Sequence, residues 1–191
     1  MILNEKFLRN YAQKEMLNSV TESVDGIRYS LYGEKYDIFL SHSSLDQELT
    51  CALYDLFTKK GFKVYLDYGD NELNPNIITS ETGEQLRSKL KKCKCLAYIS
   101  TSNISNSKWC PWELGLFDGI SGGRCRILPI IKDLGETIYN GQEYLGMYPY
   151  LSYVKRSGSK GGIFWVNDPN GSNNCITLEQ WLSGEKLKNI N

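Results

Sequence analysis

The chain has 191 residues, enough for one ordinary domain to bury its core without disulfide staples. Its 22 basic residues balance 22 acidic ones, which excludes the electrostatic footprint of a nucleic-acid or anionic-membrane binder. No apolar run approaches the ~18 residues of a spanning helix, and the opening MILNEKFLRNYAQKE lacks the apolar stretch of a signal peptide, so a soluble cytoplasmic protein is expected.

A four-residue step, Leu8, Ala12, Met16 and Val20, predicts an amphipathic helix near the N-terminus. A compact apolar run, YDIFLS at 36–41, predicts the first strand. Ser44-x-x-Gln47 then suggests a capping box opening a helix with Leu49, Ala52, Leu53, Leu56 and Phe57 on one face, ended by Gly61. The alternation continues with a strand FKVYLD at 62–67, a polar loop, a helix carrying Leu86 and Leu90, and a strand CLAYIST at 95–101. The segment SKWCPWELGLFDGI supplies the next helix, stopped by Gly119, Gly122 and Gly123, with Trp112 and Leu116 turned inward. CRILPII at 125–131 is the fourth strand. A tyrosine-rich irregular stretch leads to a fifth, GIFWVND, and Thr177 caps a last helix through Thr-x-x-Gln.

Strands alternating with helices imply an α/β fold: a flavodoxin-like, doubly wound, mainly parallel sheet of five strands in the order 2-1-3-4-5, covered by helices on both faces. Residues 1–34 are expected to form an N-terminal helical extension, and 35–191 the domain itself. The six cysteines, at 51, 93, 95, 110, 125 and 175, are read as reduced thiols and small hydrophobes. One histidine and no C-x-x-C pair give no basis for a metal site.

In such sheets a ligand sits beyond the carboxyl ends of the strands, at the point where the strand order reverses. Here that crevice lies between the first and third strands. It brings SHSSLD, 41–46, beside TSNISNSKWCPWE, 101–113, and Asp67 opens an acidic loop on the same rim. Each residue also has a plain explanation. Ser43 and Ser44 can cap a helix, His42 can be an edge residue, and Glu113 can be an early-helix acid favoured by the macrodipole.

Taken together, YDIFLSHSSLD, GFKVYLD, CLAYISTSNISNSKWCPWELG and RILPII closely resemble a Toll/interleukin-1 receptor (TIR) domain, with the strongest likeness over 35–135. The W-E-L-G followed by F-D-G is most similar to stand-alone bacterial TIR proteins, including those of Thoeris antiphage systems. The resemblance implies cleavage of NAD between nicotinamide and ribose, giving ADP-ribose or a cyclic signalling nucleotide, with NAD as substrate and no cofactor. It implies Glu113 as the catalytic carboxylate, and Trp109, His42, Ser43 and Ser44 on the NAD side of the site, to which Asp67 is added because topology puts it on the same rim. It also implies self-association through the 67–80 loop and a downstream effector that senses the product. Where some members carry an arginine, this chain has Ser43. Two alternatives stay open: a non-enzymatic TIR scaffold, and a nucleoside deoxyribosyltransferase-like enzyme.

Overall fold

The computed structural model describes residues 2–18, 35–66, 79–132, 143–155 and 161–189. Its centre is a nine-stranded sheet. In chain order the elements are β1 (Leu3–Asn4), α1 (Glu5–Asn18), β2 (Tyr36–Ser41), α2 (Gln47–Thr58), β3 (Val64–Tyr65), α3 (Ser80–Leu90) and β4 (Cys93–Ser100). Then come α4 (Trp109–Ser121), β5 (Cys125–Ile131), β6 (Tyr150–Lys155), β7 (Gly162–Asn167), β8 (Asn174–Thr177), α5 (Leu178–Leu182) and β9 (Lys188–Asn189).

The sheet runs β3-β2-β4-β5-β6-β7-β8-β9, with β1 also paired to β5. The first four positions are the expected 2-1-3-4, all parallel. The fifth differs from expectation. The strand beside β5 is β6, parallel to it, drawn from the stretch read as irregular. The expected fifth strand, β7, lies one place further out and runs antiparallel to β6. YLSYVK hides its strand character because tyrosines and a serine blur the alternation, although Leu151 and Tyr153 both point into the core. The β6–β7 contact is also close. A Cβ on Gly162 would lie 2.6 Å from the Tyr153 ring, so only glycine fits there.

Two hydrophobic layers sandwich the sheet. On one face Leu8 of α1, Leu49, Leu53 and Phe57 of α2, and Leu178 and Trp181 of α5 close over Ile38 and Leu40. On the other, Leu86 and Leu90 of α3 and Cys110, Leu114 and Phe117 of α4 close over Phe39, Tyr98 and Ile127. The period-2 geometry of β2 divides its side chains between the layers: Ile38 and Leu40 go one way, Phe39 and Ser41 the other.

The N-terminal segment is built into this core. Leu3 pairs with Ile130 and Asn4 with Ile131. Pro129 has no N–H to donate, and β5 changes neighbours around it, from β6 at Ile127 to β1 at Ile130. Asn4 Oδ1 accepts the Phe7 N–H at 2.8 Å, capping α1. The helix then lies on α2, where Tyr11 donates to Asp55 and Arg9 pairs with Glu48. Of the predicted stripe, Leu8 is fully buried and Ala12 half-buried, while Val20 falls outside the described residues.

The helix caps follow the local sequence signals only in part. Thr177 accepts the Gln180 N–H as expected, and Thr79 caps α3 in the same way. The capping box at Ser44 is not formed. Ser43 is the acceptor instead, taking the Leu45 N–H at the start of a 3-10 turn over Ser44–Asp46, and α2 begins only after it. Gly122, at φ 65°, ends α4, whereas Gly119 lies inside the helix.

Candidate functional site

The loops leaving β2 and β4 meet at the carboxyl edge of the sheet, at the predicted crevice. Ser41 is the last residue of β2 and pairs in register with Tyr98 of β4, so both side chains share the face covered by α4. There Ser41 Oγ donates to Glu113 Oε2 at 2.6 Å. Ser41 is 1% exposed and Glu113 3%.

Glu113 reaches this depth because of the register of α4. Its inward stripe is Cys110, Glu113, Leu114 and Phe117, the i, i+3, i+4, i+7 spacing of a core face. The expected inward pair, Trp112 and Leu116, is therefore displaced by one position. Leu116 is only partly buried, and Trp112 is 37% exposed rather than packed on the sheet. Apolarity favoured the tryptophan, but the carboxylate takes the inner position because Ser41 supplies a hydrogen bond.

Five more contacts fix the lips of the crevice. Cys110 Sγ donates to His42 O at 3.0 Å and receives Ser107 Oγ at 3.0 Å, while the Cys110 N–H is capped by Ser107 Oγ at 3.2 Å. The buried Asp46 accepts Thr101 Oγ1 at 2.5 Å and Asn103 Nδ2 at 2.7 Å. One carboxylate thereby ties the loop after β2 to the loop after β4. Tyr98 lies beneath, its phenol pushed well above the usual range by burial first, then by Tyr144, Cys110 and Glu113.

The remaining predicted residues are placed as follows. His42 is half-buried, its Nδ1 donating to Leu40 O at 3.2 Å. Ser43 is buried with its hydroxyl committed to capping, and Ser44 is exposed. Trp109 is half-buried, one turn before Glu113, and meets Trp112 edge to face at 5.5 Å between ring centroids. Asp67 lies outside the described residues. Nothing in the local sequence singles out Ser41, Asp46, Tyr98 and Thr101 individually, although the segments 41–46 and 101–113 include three of them. The alternation in YDIFLS does carry one usable signal, since it places Ser41 on the same face as Phe39.

A mainly parallel sheet with two buried carboxylates, Glu113 and Asp46, at its switch point defines a doubly wound α/β domain. The chain belongs to the TIR domain family, whose description matches residues 38–159. It is 34% identical over 177 residues, 92% of this chain and 87% of the relative, to a protein of Bacillus cereus (strain MSX-D12) named "Probable 3' cyclic ADP-D-ribose synthase ThsB'". It is 26% identical over 156 residues to "Probable 2' cyclic ADP-D-ribose synthase TcpO" of Methanobrevibacter olleyae, covering 78% of this chain and 42% of that protein. Among solved structures, the TIR domain of the Toll-related receptor TRR-2 from Hydra magnipapillata is similar at 18% identity and a TM-score of 0.40, covering 58% of this chain and 83% of that one.

Proposed function

We propose that the protein cleaves the nicotinamide–ribose bond of NAD and releases ADP-ribose or a cyclic ADP-ribose-type nucleotide, as a bacterial antiphage signalling enzyme. The observation that carries this reading is Glu113, held by Ser41 beneath the crevice in a chain 34% identical to a protein named as a probable 3' cyclic ADP-D-ribose synthase.

One carboxylate suffices for this chemistry. An ordinary glycosidase needs a second, acidic group because its leaving oxygen must be protonated. The nicotinamide of NAD is already cationic and departs neutral, taking the electron pair of the C–N bond. The ribose is left with oxocarbenium character, which Glu113 stabilises. At ~4 Å and an effective dielectric of ~20, a charge pair contributes about 4 kcal/mol. Felt mainly in the transition state, that is roughly a thousandfold in rate. Burial strengthens the effect by keeping water from screening the charge. Trp109 gives the cationic ring a face to stack on, with His42 and the Ser43–Ser44 backbone on the opposite lip. Water attack yields ADP-ribose, and attack by the folded-back adenosine half yields a cyclic product.

The reading carries a cytoplasmic setting, self-association as a control on activity, and an effector that senses the product. The six free thiols suit a reducing compartment. Among the described residues no helix is long and apolar enough to cross a membrane. The test is nicotinamide release from NAD by wild-type and Glu113→Gln protein. A fall of roughly a thousandfold is expected; undiminished release by the variant refutes the assignment.

A further inference from the structure

A groove of 420 Å³ lies between the first turns of α3 and α4, within the size range of small-molecule sites. Thr79, Gly83 and Arg87 line it from α3, and Lys108, Trp109 and Trp112 from α4. Its walls are almost wholly apolar. Trp109 and Trp112 stand edge to face, 75° apart, and the Arg87 guanidinium sits 5.8 Å above the Trp112 ring.

The two indoles pack edge to face, and Trp112, 37% exposed, still offers ring surface on which a flat ring can stack with little rotamer entropy to lose. Arg87 and Lys108 outweigh the single acid in the lining, Glu84, so the groove carries net positive charge. A flat ring joined to phosphate has both complementary features. The groove is also close to the reacting bond, since Trp109 precedes Glu113 by one helical turn, about 6 Å along the axis.

We propose that this groove binds the adenosine diphosphate half of NAD, with the base against Trp112 and the phosphates toward Arg87 and Lys108. The proposal rests on the reading of Glu113 given above and adds to it a place for the half of the substrate remote from the scissile bond. Trp112 then has a binding role that its sequence position, between a proline and an acid, does not advertise.

Two measurements test it. In the first, ADP is titrated calorimetrically into wild-type, Trp112→Ala and Arg87→Ala proteins; ADP has no nicotinamide bond, so the result is independent of catalysis. Saturable binding is expected, weakened about tenfold by Trp112→Ala, the scale of one lost base–aromatic stack. Absence of ADP binding to wild type, or equal affinity in all three proteins, overturns the proposal. Loss of concentration-dependent self-association in Trp112→Ala without any ADP binding also overturns it, and makes the groove a contact between copies. The second measurement compares NAD with nicotinamide mononucleotide, which keeps the scissile bond and lacks adenosine. Trp112→Ala is expected to raise KM for NAD about tenfold and to leave the mononucleotide unaffected. Equal changes for both substrates count against the groove. Full activity in Glu113→Gln instead sinks the catalytic reading and leaves the ADP titration to decide the groove separately.

Discussion

Ser41 Oγ lies 2.6 Å from Glu113 Oε2, joining the end of β2 to the first turns of α4 across 72 residues of chain. A hydroxyl that donates to a carboxylate does two things: it satisfies a buried charge and it fixes the carboxylate's rotation. Hydrogen bonds to charged groups contribute about 1.5–3 kcal/mol, which corresponds to roughly 10- to 150-fold in rate if felt in the transition state. Ser41→Ala is therefore expected to lower kcat for nicotinamide release by that order with KM nearly unchanged, and Ser41→Thr to recover much of the loss. A rise in KM at constant kcat would assign Ser41 to substrate binding instead.

Asp46 carries the second link across the crevice. Removing its carboxylate leaves the buried Thr101 and the half-buried Asn103 without this acceptor. Asp46→Ala is expected to cost about 2–4 kcal/mol of stability by stranding those donors, read as a lower urea midpoint. Asp46→Asn should cost less, because its amide oxygen can still accept from Asn103 while its amide nitrogen donates to Thr101. Equal losses in the two variants would show that the ionised carboxylate itself, rather than the pattern of acceptors, holds the loops.

What the sequence could disclose follows the physics of each signal. β2, β4 and β5 are buried on both faces, so each is a continuous apolar run that pattern alone finds. From them the switch point follows, and with it the crevice that holds Glu113. The register of α4 was not legible, because hydrophobicity argues for burying Trp112 and leaving Glu113 out. Only a partner 72 residues away reverses that preference. β6 escaped for a different reason: tyrosines and a serine blur its alternation, and it takes most of its order from the hairpin with β7 rather than from its single pairing with β5.

The N-terminal segment was expected as an appendage, and Leu3 and Leu8 now sit in the main core layer. Leu8→Ala is expected to destabilise the protein by about 2–5 kcal/mol, as for other fully buried leucines. The helix lies on the α2 face and Glu113 on the α4 face, so kcat measured below the unfolding transition should not change. A variant as stable as wild type would mean that α1 is dispensable to the fold.

Thiol chemistry gives an independent check on the sheet's interior. Cys95 of β4 is fully buried, and burial pushes its thiol up to about 12, partly offset by Arg126 and Arg124. At pH 8 only about one molecule in ten thousand then carries the reactive thiolate. The Cys125 thiol is also pushed up, by burial first and then by Asp118 and Cys95. Cys51 and Cys175 are less enclosed, and their thiols are raised by burial alone. Peptide mapping after iodoacetamide treatment of native protein at pH 8 should therefore find label at Cys51 and Cys175 before any at Cys95 or Cys125. Both buried residues should label fully once denaturant is added. Early label at Cys95 would require β4 and β5 to part, because neither exposure nor thiolate is available while Leu96 pairs with Cys125 and Ala97 with Arg126.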